Sequence, residues 1–144
     1  MRIVLSIIAL FCVLGSSCEE DKNNPHIIIK TGKECGWCGG ADSLTLTSKK
    51  SIYQFRNCDE TKNKQDETAR EEWSELLLSL NWNEFTKVNV NTCALCADGC
   101  DTWICIQNGL RTHEIRFTEN SPEIEPIRPF VEKLKVMHER FRQN

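Results

Sequence analysis

The chain has 144 residues, 18 Lys and Arg against 21 Asp and Glu, and nine cysteines. That length holds one domain rather than several. A formal charge of −3 without a basic block argues against nucleic acid as a partner, and the cysteine density points away from a reducing compartment.

Met1-Arg2 and the apolar run Ile3 to Leu14 read as a secretory signal. The run is about twelve residues, whereas crossing a bilayer takes roughly 20. Gly15-Ser16-Ser17-Cys18 follows at the position of cleavage and resembles a bacterial lipobox, with Leu14 one place further upstream than usual. The resemblance is to the loosened boxes of Bacteroidetes-type lipoproteins, and Glu19-Glu20-Asp21 is similar to the acidic start of their surface-exported members. It implies a signal peptide over residues 1–17, a lipid on Cys18 and an outer-membrane lipoprotein facing the periplasm or the surface. The alternative is ordinary cleavage after Ser17, leaving Cys18 free. Cys12 lies inside the apolar run and is a poorer candidate. Cys18 to Pro25 is a polar tether that reaches about 25 Å when extended.

The domain then begins. His26 to Thr31 is β-branched and predicts a first strand, followed by a loop, Gly32 to Gly40, that carries Cys35 and Cys38. Leu44 to Thr47 alternates as a half-buried strand does, and Ser51 to Arg56 predicts a third strand with Tyr53 and Phe55 on one face. Asn57 to Gln65 reads as a polar loop containing Cys58. Thr68-Ala69-Arg70-Glu71 fits a capping box, and Ala69, Trp73, Leu76, Leu77 and Leu80 recur at helical spacing behind it. Asn81 ends that helix, and Asn83-Glu84-Phe85 reads as one further turn.

Cys93 to Asp101 is a cysteine-studded loop feeding a hairpin whose Asn108-Gly109 is a strong turn signal. A turn at those two residues pairs Gln107 with Leu110 and Ile104 with His113. Ile104, Ile106, His113, Ile115 and Phe117 then share the core face, and Trp103, Cys105, Gln107, Thr112, Glu114 and Arg116 the more polar one. After Asn120-Ser121-Pro122, a stripe of Ile127, Phe130, Val131, Leu134, Met137 and Phe141 predicts a last helix. It begins near Ile127 to Pro129, because Pro126 and Pro129 fit only a first turn. Five strands and two helices in the order βββαββα predict a single α+β domain over residues 26–144, an antiparallel sheet with both helices on one face.

Cys93-x-x-Cys96-Ala97-Asp98-Gly99-x-x-x-Trp103-Ile104-x-Ile106 resembles a group of uncharacterised Bacteroidetes lipoproteins. Glu71-Glu72-Trp73 at the helix start and Ser121-Pro122…Ile124-Glu125-Pro126 extend the likeness over most of residues 26 to 141. Cys100, where that pattern has Gly, and the additional Cys58 and Cys105 depart from it. The resemblance implies fold and location and no molecular activity.

Seven cysteines follow Cys18: Cys35, Cys38, Cys58, Cys93, Cys96, Cys100 and Cys105. In an exported domain they read first as disulfides, with one left over. The expectation is that the Cys35/Cys38 loop is tied to the Cys93/Cys96 loop, while Cys58 and Cys105 pair with each other or with Cys100 and matter less for folding. The rivals are a tetrahedral zinc on Cys35, Cys38, Cys93 and Cys96 and a thioredoxin-like redox motif at Cys35-Gly36-Trp37-Cys38. The redox motif lacks the helix that should follow it. His113 reads as a hydrogen-bonded histidine of the core rim, and His26 and His138 as solvated at element ends. Asp98-Gly99 with Asp101 is too short for a calcium loop and reads as turn chemistry. Trp73 is core by periodicity, while Trp37 and Trp103 are candidates for an exposed binding patch. No catalytic constellation stands out. The sequence therefore reads as a lipid-anchored, non-enzymatic envelope domain, with the membrane as one partner and a protein or glycan as another.

Overall fold

The β-branched run at the start of the domain becomes the middle of a sheet. In the computed structural model, residues 26–143 are described, so the signal segment, Cys18 and the tether to Pro25 lie outside the described residues. β1 (Ile27–Cys35) pairs antiparallel with β2 (Gly40–Leu46) on one side and β5 (Cys100–Asn108) on the other. β3 (Lys50–Arg56) and β4 (Thr61–Glu67) continue outward from β2, and β6 (Arg111–Phe117) from β5. The spatial order is β4-β3-β2-β1-β5-β6. The helices are α1 (Arg70–Ser79), α2 (Trp82–Phe85) and α3 (Arg128–Gln143), with short 3₁₀ turns at Trp37–Gly39, Ala94–Ala97 and Pro122–Ile127.

The class is α+β, but the expected five strands and βββαββα order are corrected to six strands, four of them before the first helix. The extra strand is β4, expected to be a loop. Its sequence, Thr-Lys-Asn-Lys-Gln-Asp-Glu, contains no apolar residue, so it carries no period-two signal. It needs none, because it is an edge strand exposed nearly throughout. Only Lys64 is half-buried; its ammonium lies over the Tyr53 ring and donates to the Phe141 carbonyl at 2.9 Å. Lys62 and Lys64 also discourage a second chain from pairing with this edge.

Alternation places Ile29, Leu44, Tyr53, Ile104, Ile106 and Ile115 on one face of the sheet, all buried. The helices cover that face with Trp73 and Leu76 from α1, Phe85 from α2, and Phe130, Leu134 and Phe141 from α3, in one continuous core. Each large apolar side chain fully buried there contributes about 1.5–3 kcal/mol. The capping box does not form. Thr68 stays attached to the sheet through its N–H to the Lys49 carbonyl, and its hydroxyl bonds Ser51 Oγ at 2.8 Å, so α1 starts at Arg70 without a side-chain cap. Asn81 caps α2 instead, its Oδ1 accepting from the Glu84 N–H.

In the hairpin the turn residues are Gly109 and Leu110, with Asn108 opposite Arg111 and Ile104 opposite Ile115. Gly109 has φ +60° while Leu110 is not left-handed, the pattern of a type II′ turn rather than the expected one at Asn108-Gly109. The correction moves each partner by two residues. Because side chains alternate with period two, both faces keep the membership expected of them.

On the outer face, the Trp103 indole crosses β1 at Gly32. A Cβ at Gly32 would sit 2.7 Å from the indole ring and 2.2 Å from the Asp42 carbonyl oxygen. Gly32→Ala is therefore expected to cost at least about 2 kcal/mol, since overpacking against backbone is not relieved by a rotamer change. A denaturation midpoint within error of wild type would show that Trp103 and β2 yield freely.

Candidate functional site

The loops following β1 and β3 and the loop preceding β5 meet at one end of the sheet. β1 ends at Cys35, directly opposite Cys100, the first residue of β5. The Cα atoms are 4.1 Å apart and the two sulfurs form a disulfide. Cys38, in the turn between β1 and β2, is bonded to Cys58 in the β3–β4 turn. Gly40 opens β2 against Arg56 and Asn57, which carries Cys38 to that turn. Asn57 shapes the turn as an Asx turn, its Oδ1 accepting from the N–H groups of Asp59 at 2.9 Å and Glu60 at 2.7 Å. Cys93 is bonded to Cys96 across the Ala94–Ala97 turn.

The disulfide reading holds, and its connectivity is corrected. Neither Cys93 nor Cys96 reaches the Cys35/Cys38 loop. Cys58 is a partner of Cys38 rather than a peripheral addition, and Cys100 is the partner of Cys35. Among the described residues Cys105 is the unpaired cysteine, half-buried on the polar face. Burial pushes its thiol above the ordinary value, and the Glu114 carboxylate beside it adds to the shift, so it is a poor nucleophile at neutral pH. The four sulfurs named for zinc sit in three different disulfides, and the Cys35-x-x-Cys38 pair does not close on itself. Among the described residues no three His, Cys, Asp or Glu side chains converge as a metal-holding group.

Asp101 organises the last of these loops. It lies on the outer face of β5 and is fully buried beneath residues 92–97. Its carboxylate accepts from Thr92 Oγ1 at 2.6 Å, the Ala94 N–H at 3.1 Å and the Leu95 N–H at 3.0 Å. Glu34 lies directly opposite on β1 and is paired with Arg116, whose guanidinium is 2.8 Å from its carboxylate and whose charge also favours the Asp101 anion. Asp98 is left-handed at φ +58°, and the Gly99 carbonyl accepts the Gly36 N–H at 3.0 Å, joining this loop to the one that follows β1. Asp98-Gly99 is turn chemistry as expected. Asp101 is instead a buried anion, and nothing in the surrounding Gly-Cys-Asp-Thr distinguished it from a turn residue.

Trp37 stands on top of this construction. It is 93% exposed and left-handed at φ +54°. A non-glycine residue held there costs of order 1–3 kcal/mol and persists only where its surroundings fix it. The cystines at Cys35 and Cys38 flank it on both sides. The other tryptophans are occupied. Trp73 is core, Trp82 stacks on Phe85 with the Arg111 guanidinium 5.6 Å from its ring, and Trp103 covers Gly32. Trp103 therefore does not join Trp37 in an exposed patch.

The histidines divide as well. His26 is exposed as expected, and His113 is on the core rim with Nε2 2.9 Å from the Val88 carbonyl and its ring edge-on to Phe85. His138 is not solvated. It points from α3 into the sheet, 3.2 Å from Asp42 Oδ1 and edge-on to Tyr53. The helical position alone did not show this, because the histidine lies one place beyond Met137 at the border of the apolar stripe. Compared with known proteins, the chain matches no protein-family model and no curated protein.

Proposed function

We propose that this chain is a lipid-anchored protein of the cell envelope whose domain is a non-enzymatic binding module, presenting Trp37 to a protein partner. The observation that carries the reading is the placement of Trp37 relative to the start of the domain. β1 enters at Ile27 and leaves at Cys35, nine residues that span about 30 Å. The β5–β6 turn lies at the entry end, where the His26 carbonyl faces the Gly109 N–H. A tether from Cys18 to Pro25 therefore attaches at one end of the sheet, and the cystine-braced loops project at the other. An exposed aromatic side chain carried on a backbone braced by two cystines suits a hot-spot contact that fills a pocket on another protein.

The test replaces Trp37 with a photo-crosslinking phenylalanine derivative in intact cells, with Leu78 as the control. Leu78 is 85% exposed but sits on α1. A discrete adduct from position 37, absent from position 78, is the expected result. Equal labelling from both positions, or none from either, would remove Trp37 as the binding anchor.

A second reading, thiol–disulfide exchange, has one observation in its favour. Cys93 and Cys96 are both exposed and close on each other, so their bond can be reduced without opening a long loop. A dithiol partner would be oxidised to its disulfide as this pair is reduced. Oxidation of a dithiol peptide to its disulfide that disappears in Cys93→Ser would establish it, and activity unchanged by that substitution would end it.

A further inference from the structure

A cleft of about 230 Å³ separates α3 from the loop-ward halves of β1 and β5. Its cause is in the sequence. Towards the start of β1 the core-facing positions are large, with Ile29 on β1 and Ile104 and Ile106 on β5. Towards the loops, the core-facing positions of the same strands become Thr31, Lys33, Thr102 and Cys100, while α3 continues overhead. The floor is apolar, formed by Ile104, Phe117, Ile124, Val131 and Leu134. One wall is the Asp42–His138 pair, with side chains 7% and 14% exposed. Asp42 Oδ1 accepts from the Lys33 N–H at 2.9 Å, whereas His138 Nε2 is buried and makes no aligned hydrogen bond.

The charges at the mouth are mostly spoken for. Lys135 pairs with Glu119 at 2.9 Å, Arg142 with Glu139 at 3.4 Å and Arg128 with Glu125 at 2.6 Å. Among the described residues, two lining groups have no ion-pair partner within 4.0 Å, Lys33 on β1 and Glu132 on α3. They belong to opposite walls, one the sheet and the other the helix. Both side chains are exposed and solvated when the cleft is empty, and a ligand of one charge would engage only one of them. A molecule carrying both charges satisfies both. The volume sets the size of the rest. It exceeds the ~150 Å³ cavity that holds benzene and falls short of drug-sized sites of about 300–1,000 Å³.

We infer that this cleft between α3 and the sheet binds a small zwitterion with one apolar side chain, of the class of a free aromatic or branched amino acid, its ammonium towards Glu132 and its carboxylate towards Lys33. The apolar group rests on Leu134 and Phe117, and His138 Nε2 faces the same space. The site does not involve Trp37, and of the loop cystines it meets only Cys100, so the proposed function, which rests on Trp37, can fail without it.

The test is a titration of ¹⁵N-labelled protein with L-phenylalanine, alongside 3-phenylpropionate and phenethylamine, each of which lacks one charge. Saturable shifts are expected at the amides of Lys33, Thr102, Glu132 and His138, with each single-charge analogue binding at least about tenfold more weakly, as the loss of one charge-assisted contact implies. Glu132→Gln, at an exposed position that leaves the fold alone, is expected to weaken L-phenylalanine while leaving 3-phenylpropionate unchanged or tighter. Thr102→Phe should fill the cleft and abolish the shifts while far-UV circular dichroism stays native. No saturable shift with either L-phenylalanine or L-leucine would overturn the proposal. So would equal binding of 3-phenylpropionate, or an affinity for L-phenylalanine indifferent to Glu132→Gln.

Discussion

Replacing Cys35 and Cys100 together by Ser is expected to remove about 4 kcal/mol of stability, the largest loss among the three cystines of the described residues. The bond joins residues 65 apart, and the constraint that a cross-link places on the unfolded chain grows with the logarithm of that separation. The Cys38–Cys58 bond, with a separation of 20, is worth about 3 kcal/mol on the same scale. The Cys93–Cys96 bond, with a separation of 3, is worth about 2. A domain of this size has ~5–15 kcal/mol in all, so the first loss alone approaches the point of unfolding. Chemical denaturation of the three double-Ser variants and of Cys105→Ser should rank them in that order, with Cys105→Ser near wild type. A Cys93/Cys96 variant less stable than the Cys35/Cys100 one would show that the short bridge, not the β1–β5 bond, braces the fold.

Asp101→Asn is expected to cost about 2–4 kcal/mol at neutral pH, because a buried carboxylate accepting three hydrogen bonds is replaced by a neutral amide that fits fewer of them. Burial by itself pushes the Asp101 carboxyl up. The Leu95 N–H, the Thr92 hydroxyl, the Ala94 N–H and the Arg116 charge outweigh it and hold the carboxyl below its ordinary 3.8. A carboxyl depressed in the folded state stabilises fully above its unfolded value and loses that contribution as pH falls through the lower folded one. The gap between wild type and Asp101→Asn should therefore be widest above pH 3.8 and shrink below it. A gap of the same size on both sides would mean that shape, and not charge, holds the loop over β5.

The parts of the fold that were legible are those where burial writes a period into the chain. The stripe from Ile127 to Phe141 and the two faces of the hairpin follow from spacing alone. The faces survived a misplaced turn because the error was an even number of residues. β4 was not legible, because an edge strand with no buried face has no period to show. The capping box at Thr68 was locally sound and lost to a tertiary contact, the hydrogen bond to Ser51. The same limit governs the site. That the cysteines cross-link the domain follows from their number, but which ones meet depends on β1 pairing with β5 across some 65 residues. Once that pairing is known, Cys35 opposite Cys100 follows from register alone. The burial of Asp101 and His138 likewise comes from elements distant in sequence. The exposure of Trp37 was read from its loop, whereas its left-handed backbone and its flanking cystines were not.

One mass-spectrometric map of the mature protein, extracted from membranes, alkylated without reduction and digested with Asp-N and chymotrypsin, tests both the brace and the anchor. Cleavage after Trp37 separates Cys35 from Cys38, and cleavage before Asp98 and Asp101 separates Cys96, Cys100 and Cys105. The predicted result is three cross-linked species, Cys35 with Cys100, Cys38 with Cys58 and Cys93 with Cys96, together with alkylated Cys105 and an N-terminal peptide that begins at a lipid-modified Cys18. A peptide joining Cys93 or Cys96 to Cys35 or Cys38, or an unmodified Cys18 on protein recovered free of membrane, would contradict it.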